Sequence, residues 1–106
     1  MAAEDKVTVK GQSGTQYEFE VYPWGTTFNP VGGLYIVLKK QPGNYGILYI
    51  GQTGNLSERF DNHHQSDSFT RYGKTHIAVR AESSEQKRFT FETDLIRNYN
   101  TCCNKQ

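Results

Sequence analysis

Residues 33–51 constrain this chain more than any other stretch. Gly33-Leu34-Tyr35-Ile36-Val37-Leu38 and Ile47-Leu48-Tyr49-Ile50-Gly51 are almost unbroken apolar and aromatic runs, separated by Gln41-Pro42-Gly43-Asn44. Short runs of this kind, bounded by Gly and Pro, read as strands covered on both faces. They form a hairpin of central strands. If it folds symmetrically about residue 42, Tyr35 lies opposite Tyr49 and both rings share one face. The connection is long enough to hold a bulge, which would alter that register.

The other elements follow from periodicity. Val7 and Val9 alternate on one arm of an N-terminal hairpin over residues 6–22, Gly11-Gln12-Ser13-Gly14 is its turn, and Tyr17, Phe19 and Val21 alternate on the second arm. Glu18 and Glu20 then face solvent. A loop rich in Gly and Thr runs from Pro23 to Gly33, with Trp24 and Phe28 as its anchors to the core. Residues 55–65 turn helical, with Leu56 and Phe60, and Arg59 and His63, each four apart. His76 to Ala81 alternates as a further strand of the core sheet. Ser83 and Gln86 form a capping-box pattern ahead of a last helix that reaches about Tyr99. The chain is one compact domain, with residues 1–31 an N-terminal hairpin and loop extension and residues 32–106 the main body.

Composition narrows the class. A chain of 106 residues with 13% aromatic side chains can bury a modest core. No apolar run approaches the roughly 18 residues needed to span a bilayer, so no membrane role is expected. The first five residues carry neither a basic nor an apolar signal region, and Cys102 and Cys103 are adjacent, so reduced thiols and a cytoplasmic location are expected. Net charge is +1, unevenly spread: two lysines oppose four acids in residues 1–31, and ten Lys or Arg oppose seven acids thereafter. The mild basic excess lies in the C-terminal two-thirds.

One residue of the last helix is out of place. Phe89, Leu95, Ile96 and Tyr99 make its apolar face on a helical wheel, and Glu92 falls among them. A carboxylate on a buried face costs several kcal/mol unless paired or metal-bound. A salt bridge to Arg59 or Arg88, an edge position that lets it reach water, or a metal ion would each account for it.

Gly33-Leu34-Tyr35 followed by Tyr49-Ile50-Gly51 resembles the paired signature of the GIY-YIG nuclease family. Tyr49-Ile50-Gly51-Gln52-Thr53-Gly54-Asn55-Leu56-Ser57-Glu58-Arg59 is similar to the run that follows in that family, with Arg eight residues past the glycine. His63 matches a position held by His or Tyr, Glu92-Thr93-Asp94-Leu95-Ile96 resembles the E-x-x-L-I segment, and Asn104 falls where a terminal Asn is found. The resemblance spans residues 33–104 and implies an α+β fold, a small three-stranded antiparallel sheet flanked by helices, to which this chain adds its N-terminal hairpin. That hairpin is expected to cover an edge strand or to form a subunit contact.

The resemblance also implies an activity: metal-dependent hydrolysis of nucleic-acid phosphodiester bonds, most readily in DNA. By it, Glu92 would be the protein's one metal ligand, for Mg²⁺ or Mn²⁺. Tyr35 would orient or deprotonate the attacking water, with His63 assisting. Arg59 would grip the scissile phosphate and Tyr49 would line the site. Gly51, Gln52, Thr53 and Asn104 would contact substrate. These residue types suit the chemistry. A hard divalent ion on a carboxylate stabilises developing charge, and a guanidinium fork matches phosphate oxygens. A phenol ordinarily ionises near pH ~10, so Tyr35 can act as a base only where the metal, Arg59 or His63 lowers that value.

The bland alternatives are specific. Tyr35 and Tyr49 also suit a sheet as plain packing aromatics. A zinc site from His63, His64, Cys102 and Cys103 lacks any usual ligand spacing. Many family members carry Lys directly after the second signature, where this chain has Gln52, and the Gln41–Gly46 connection is an addition. No helix-turn-helix, zinc finger or basic arm is visible, so specificity would come from DNA shape, a homodimer or a protein partner. Lys39, Lys40, Arg71, Lys74, Arg80, Lys87 and Arg88 are the candidates for backbone contacts. The competing class is an inactive nucleic-acid-binding or protein-interaction module that keeps the fold.

Overall fold

The structure is a computed structural model that describes residues 3–57 and 73–99. Its described elements are β1 (Asp5–Lys10), β2 (Gln16–Pro23), β3 (Gly33–Gln41), β4 (Asn44–Thr53), β5 (His76–Ala81) and helix α1 (Glu85–Asn98). Arg59, His63, His64, Cys102, Cys103 and Asn104 lie outside the described residues, as does most of the helix expected over 55–65.

The fold is α+β, but the sheet is larger than the resemblance implies. Among the described residues five antiparallel strands form one sheet in the order β1-β2-β5-β3-β4, with one helix rather than several. The N-terminal hairpin is continuous with it. Val7 faces Phe19 and Val9 faces Tyr17 within the hairpin, and β2 then pairs with β5, Val21 opposite Ala78. The hairpin thus covers the edge that β5 would otherwise present. The alternation in β2 is clean, with Tyr17, Phe19 and Val21 buried and Glu18 and Glu20 exposed.

β3 is central and is buried on both faces from Gly33 to Leu38. β4, expected to be central as well, is the sheet's outer strand, and several of its side chains are only half-buried. The sheet curls strongly, so the outer strands approach one another. Tyr45 of β4 donates a hydrogen bond to Asp5 Oδ2 of β1 at 3.1 Å.

The β3–β4 register departs from the symmetric expectation. The turn is only Pro42-Gly43, with Gln41 opposite Asn44 and Gly43 at φ 82°. Pro followed by a residue at positive φ suits a type II turn. Unbroken pairing from that turn would set Tyr35 against Ile50 and send Tyr49 to the opposite face. The register instead shifts between Val37 and Leu38, leaving Leu48 as the extra residue, so that Val37 faces Tyr49 and Tyr35 faces Gly51. The bulge returns Tyr49 to the face of Tyr35.

Alternation divides the core between the two faces of the sheet. Leu34, Ile36, Leu38 and Ile50 pack with Phe19, Val21, Ala78 and Leu95 of α1. Tyr35, Val37, Leu48, Leu56, Ile77 and Val79 make the cluster on the other face, where Trp24 and Phe28 anchor their loop as expected.

Helix α1 begins one residue later than the capping-box pattern suggests. Ser84 is the N-cap and accepts the Lys87 N–H at 3.3 Å. Its inward face differs from the expected one at Phe89. Arg88 and Leu95 are buried, Phe91, Ile96 and Tyr99 are partly buried, and Phe89, expected inside, is 50% exposed. Asp94 ties the helix to the β1–β2 turn by accepting the Ser13 N–H, the Ser13 hydroxyl and the Tyr17 hydroxyl, each at 2.8 Å. Asn98 adds a 2.7 Å bond from its amide to the Lys10 carbonyl.

Candidate active site

The two tyrosines of the signatures form one aromatic unit. Tyr35 on β3 and Tyr49 on β4 stack with ring centroids 5.9 Å apart and planes 25° apart. They are diagonal rather than opposite neighbours, because the residue opposite Tyr35 is Gly51. A Cβ at position 51 would stand 2.6 Å from Tyr35 Cζ and Oη and 2.8 Å from Tyr49 Cε2. The glycine is therefore the floor on which both rings lie, and no other residue leaves room for them. Tyr35 is wholly buried and Tyr49 half-buried, so the Tyr49 ring is the one that meets solvent.

The neighbouring signature residues are committed in different ways. Gln52, on the opposite face of β4, accepts a 3.1 Å hydrogen bond from Arg88 Nε. The Thr53 oxygen is held within the turn that leaves β4, where it accepts the Asn55 N–H at 3.1 Å. Asn55 Oδ1 in turn accepts the Ser57 N–H at 2.9 Å and its hydroxyl at 2.6 Å. This chain of local bonds carries the backbone out of the sheet after the second signature.

Glu92 is half-buried on α1, one turn beyond Arg88. The helix packs against the face of Leu34, Ile36 and Ile50, chiefly along β4, and the tyrosine pair lies on the other face. Of the residues expected to form the site, Tyr35, Tyr49 and Gly51 come together on one face. Gln52 and Glu92 belong to the helix side, and Arg59, His63 and Asn104 lie outside the described residues. A concavity of about 640 Å³ between β1 and the β3–β4 turn, lined by Val7, Leu38, Tyr45 and Ile47 among others, holds none of them.

Arg88, in the sequence one of several candidates for backbone contacts and a possible partner for Glu92, is buried in the structure. It is 6% exposed. Its Nη1 donates to the Glu82 and Ser83 carbonyls, both at 3.0 Å, and its Nε holds Gln52. Positions 88, 92, 95 and 99 share one face at helical spacing, and a wheel phased on them instead of on Phe89 would have shown Arg88 turned inward.

Among the described residues there is no group of three or more His, Cys, Asp and Glu side chains able to hold a metal between them. Glu92 supplies one carboxylate, a hard oxygen ligand, on a half-buried side chain. That donor suits a hard divalent ion that keeps water and phosphate oxygens for its other positions.

Residues 31–106 match the GIY-YIG catalytic domain family. That is most of the chain, and the protein belongs to the GIY-YIG family of nucleases, whose members generally use a divalent metal ion. No curated protein and no solved structure gives a significant match. No helix of the described residues is long and apolar enough to cross a membrane.

Proposed function

We propose that the protein is an endonuclease that hydrolyses phosphodiester bonds of DNA with one Mg²⁺ or Mn²⁺ ion. The observation that carries the reading is the aromatic unit of Tyr35 and Tyr49 on Gly51, which brings the two family signatures into a single piece of structure. Glu92 would hold the ion, which when bound supplies positive charge against the charge developing on phosphate oxygens. Tyr49, reaching solvent, lines the approach to the site. Tyr35, buried beneath it, would orient or deprotonate the attacking water. Arg59, with its fork of donors, would hold the scissile phosphate, His63 would assist Tyr35, and Asn104 would brace the substrate.

A second reading draws on the complete burial of Tyr35. In it the tyrosines are packing aromatics, and the domain binds nucleic acid without cutting it. One experiment separates the two. Labelled single-stranded, duplex, flap and branched DNA, together with RNA, are incubated with the protein in Mg²⁺ or Mn²⁺, beside Glu92→Ala and EDTA controls. Metal-dependent cleavage lost in Glu92→Ala supports the nuclease and reports the preferred substrate. Binding without cleavage on every substrate would leave the non-catalytic module.

A further inference from the structure

The Arg88 guanidinium is a cation placed where protein surrounds it. Its Nε and Nη1 hydrogen bonds go to neutral oxygens, namely the Gln52 side chain and the carbonyls of Glu82 and Ser83. Among the described residues no hydrogen bond or ion pair joins it to a carboxylate. Neutral partners alone do not offset the cost of burying a charge, so what the described residues supply does not by itself account for its position.

The surroundings leave one side of the guanidinium available. Gly32 makes room for Nη1, since a Cβ there would lie 2.5 Å from it. Nη2 lies beside the exposed Gly54, where a Cβ would stand 3.7 Å from it with nothing closer. No hydrogen bond within the described residues uses Nη2, and it is not among the fully enclosed atoms that lack a partner. The side chain is thus held by three hydrogen bonds, with its remaining two N–H groups, those of Nη2, next to Gly54. A fixed guanidinium edge of this kind is an anion site.

We infer that Arg88 Nη2 binds a phosphate of the nucleic-acid substrate at Gly54, and that this buried arginine supplies the cation that Gln52 does not. The inference rests on the nuclease reading for its ligand but not for its test, because anion binding is measured without cleavage. Gln52 then becomes a positioning residue: its oxygen fixes the plane of the guanidinium. Arg88 stands one turn before Glu92 on α1, so the phosphate it holds lies along the same side of the helix as that carboxylate.

Binding of fluorescent single-stranded and duplex DNA is measured in EDTA over a range of salt concentrations, for the wild type, Arg88→Lys, Arg88→Gln and Gly54→Asp. Protection against thermal unfolding by inorganic phosphate is followed in parallel. Arg88→Gln should weaken DNA binding about tenfold and lower the salt slope by about one, as loss of one phosphate contact does. Arg88→Lys should restore part of the affinity. Gly54→Asp guards against a folding artefact, because its carboxylate would occupy the phosphate position. It should raise the melting temperature, abolish protection by phosphate and weaken DNA binding as much as Arg88→Gln. If Gly54→Asp binds DNA and phosphate like the wild type, the inference is overturned, whatever Arg88→Gln does. Failure of cleavage in the Glu92 experiment, with these shifts intact, would remove the nuclease reading and leave the phosphate site standing.

Discussion

The ring of Tyr35 lies so close over Gly51 that any side chain at position 51 would bring its Cβ to 2.6 Å from the Tyr35 Cζ and hydroxyl. Tyr49 closes the same space from the side, and a cross-strand glycine is what lets two tyrosines stack within one pleat. The signature glycine is therefore explained by packing before any chemistry is considered. Gly51→Ala should cost about 1–3 kcal/mol of stability, the range for an added methyl in a filled core. Denaturant unfolding measures it, and near-ultraviolet circular dichroism should change because the ring pair must part. An unchanged midpoint would show that the rings do not rest on Gly51.

The bulge at Leu48 brings Tyr49 to that face, and its effect is open to test by deletion. Removing Leu48 leaves Ile47 joined to Tyr49, so the pairing from the Pro42-Gly43 turn still brings Tyr49 opposite Val37. The nuclear Overhauser contacts between the Tyr35 and Tyr49 rings should survive, with stability lower for the lost burial of Leu48. Removing Ile50 instead lets the ladder run unbroken from the turn with Gly51 still opposite Tyr35, which sets Tyr49 against Ile36 and should abolish those contacts.

Two phenylalanine- and leucine-sized positions on α1 should behave oppositely. Leu95 is fully enclosed against the sheet, and Leu95→Ala should cost about 2–5 kcal/mol. Phe89 is half-exposed, and Phe89→Ala should change stability by no more than about 0.5 kcal/mol. Equal costs in urea unfolding would contradict the phase of the helix.

The bond between Tyr17 and Asp94 makes stability depend on pH at both extremes. Burial, followed by the hydrogen bond and negative charge of Asp94, pushes the Tyr17 phenol up to about 12 from its ordinary 10.0. This contribution is complete below about pH 10 and is lost as pH rises through about 12. Asp94 is held below its ordinary value by the Ser13 N–H, then by the Ser13 and Tyr17 hydroxyls. Its contribution is present above the ordinary carboxylate range and is lost as pH falls through the lower folded value. Tyr17→Phe should flatten the alkaline limb of a plot of melting temperature against pH. Asp94→Asn should flatten the acid limb. A wild-type alkaline limb that persists in Tyr17→Phe would assign it to another group.

Much of the architecture is legible in local patterns. The strand at residues 76–81 is delimited in the structure as its alternation indicates. The N-terminal hairpin and the exposure of Glu18 and Glu20 likewise follow from a period of two, because a half-buried strand must sort its side chains by face. The loop anchors Trp24 and Phe28 follow from the cost of leaving large rings in water. The family, too, rests on residue identity and spacing along the chain, and the match over residues 31–106 requires no coordinates.

What the chain's own order does not carry is how distant segments meet. β4 and β3 have equally apolar sequences, yet β4 is an outer strand because β5 takes the other side of β3 and β2 then caps β5. The Tyr35–Gly51 contact depends on one extra residue in a ladder, and a bulge has no strong local signature. Arg88 appears in the sequence as an ordinary helix-surface cation, one turn from Glu92. It turns inward because the Glu82 and Ser83 carbonyls, the Gln52 side chain and the space at Gly32 converge on its guanidinium. Periodicity records which side of an element is apolar. The partners that make burial of a polar group tolerable come from other elements, and only the assembled fold brings them within hydrogen-bonding distance.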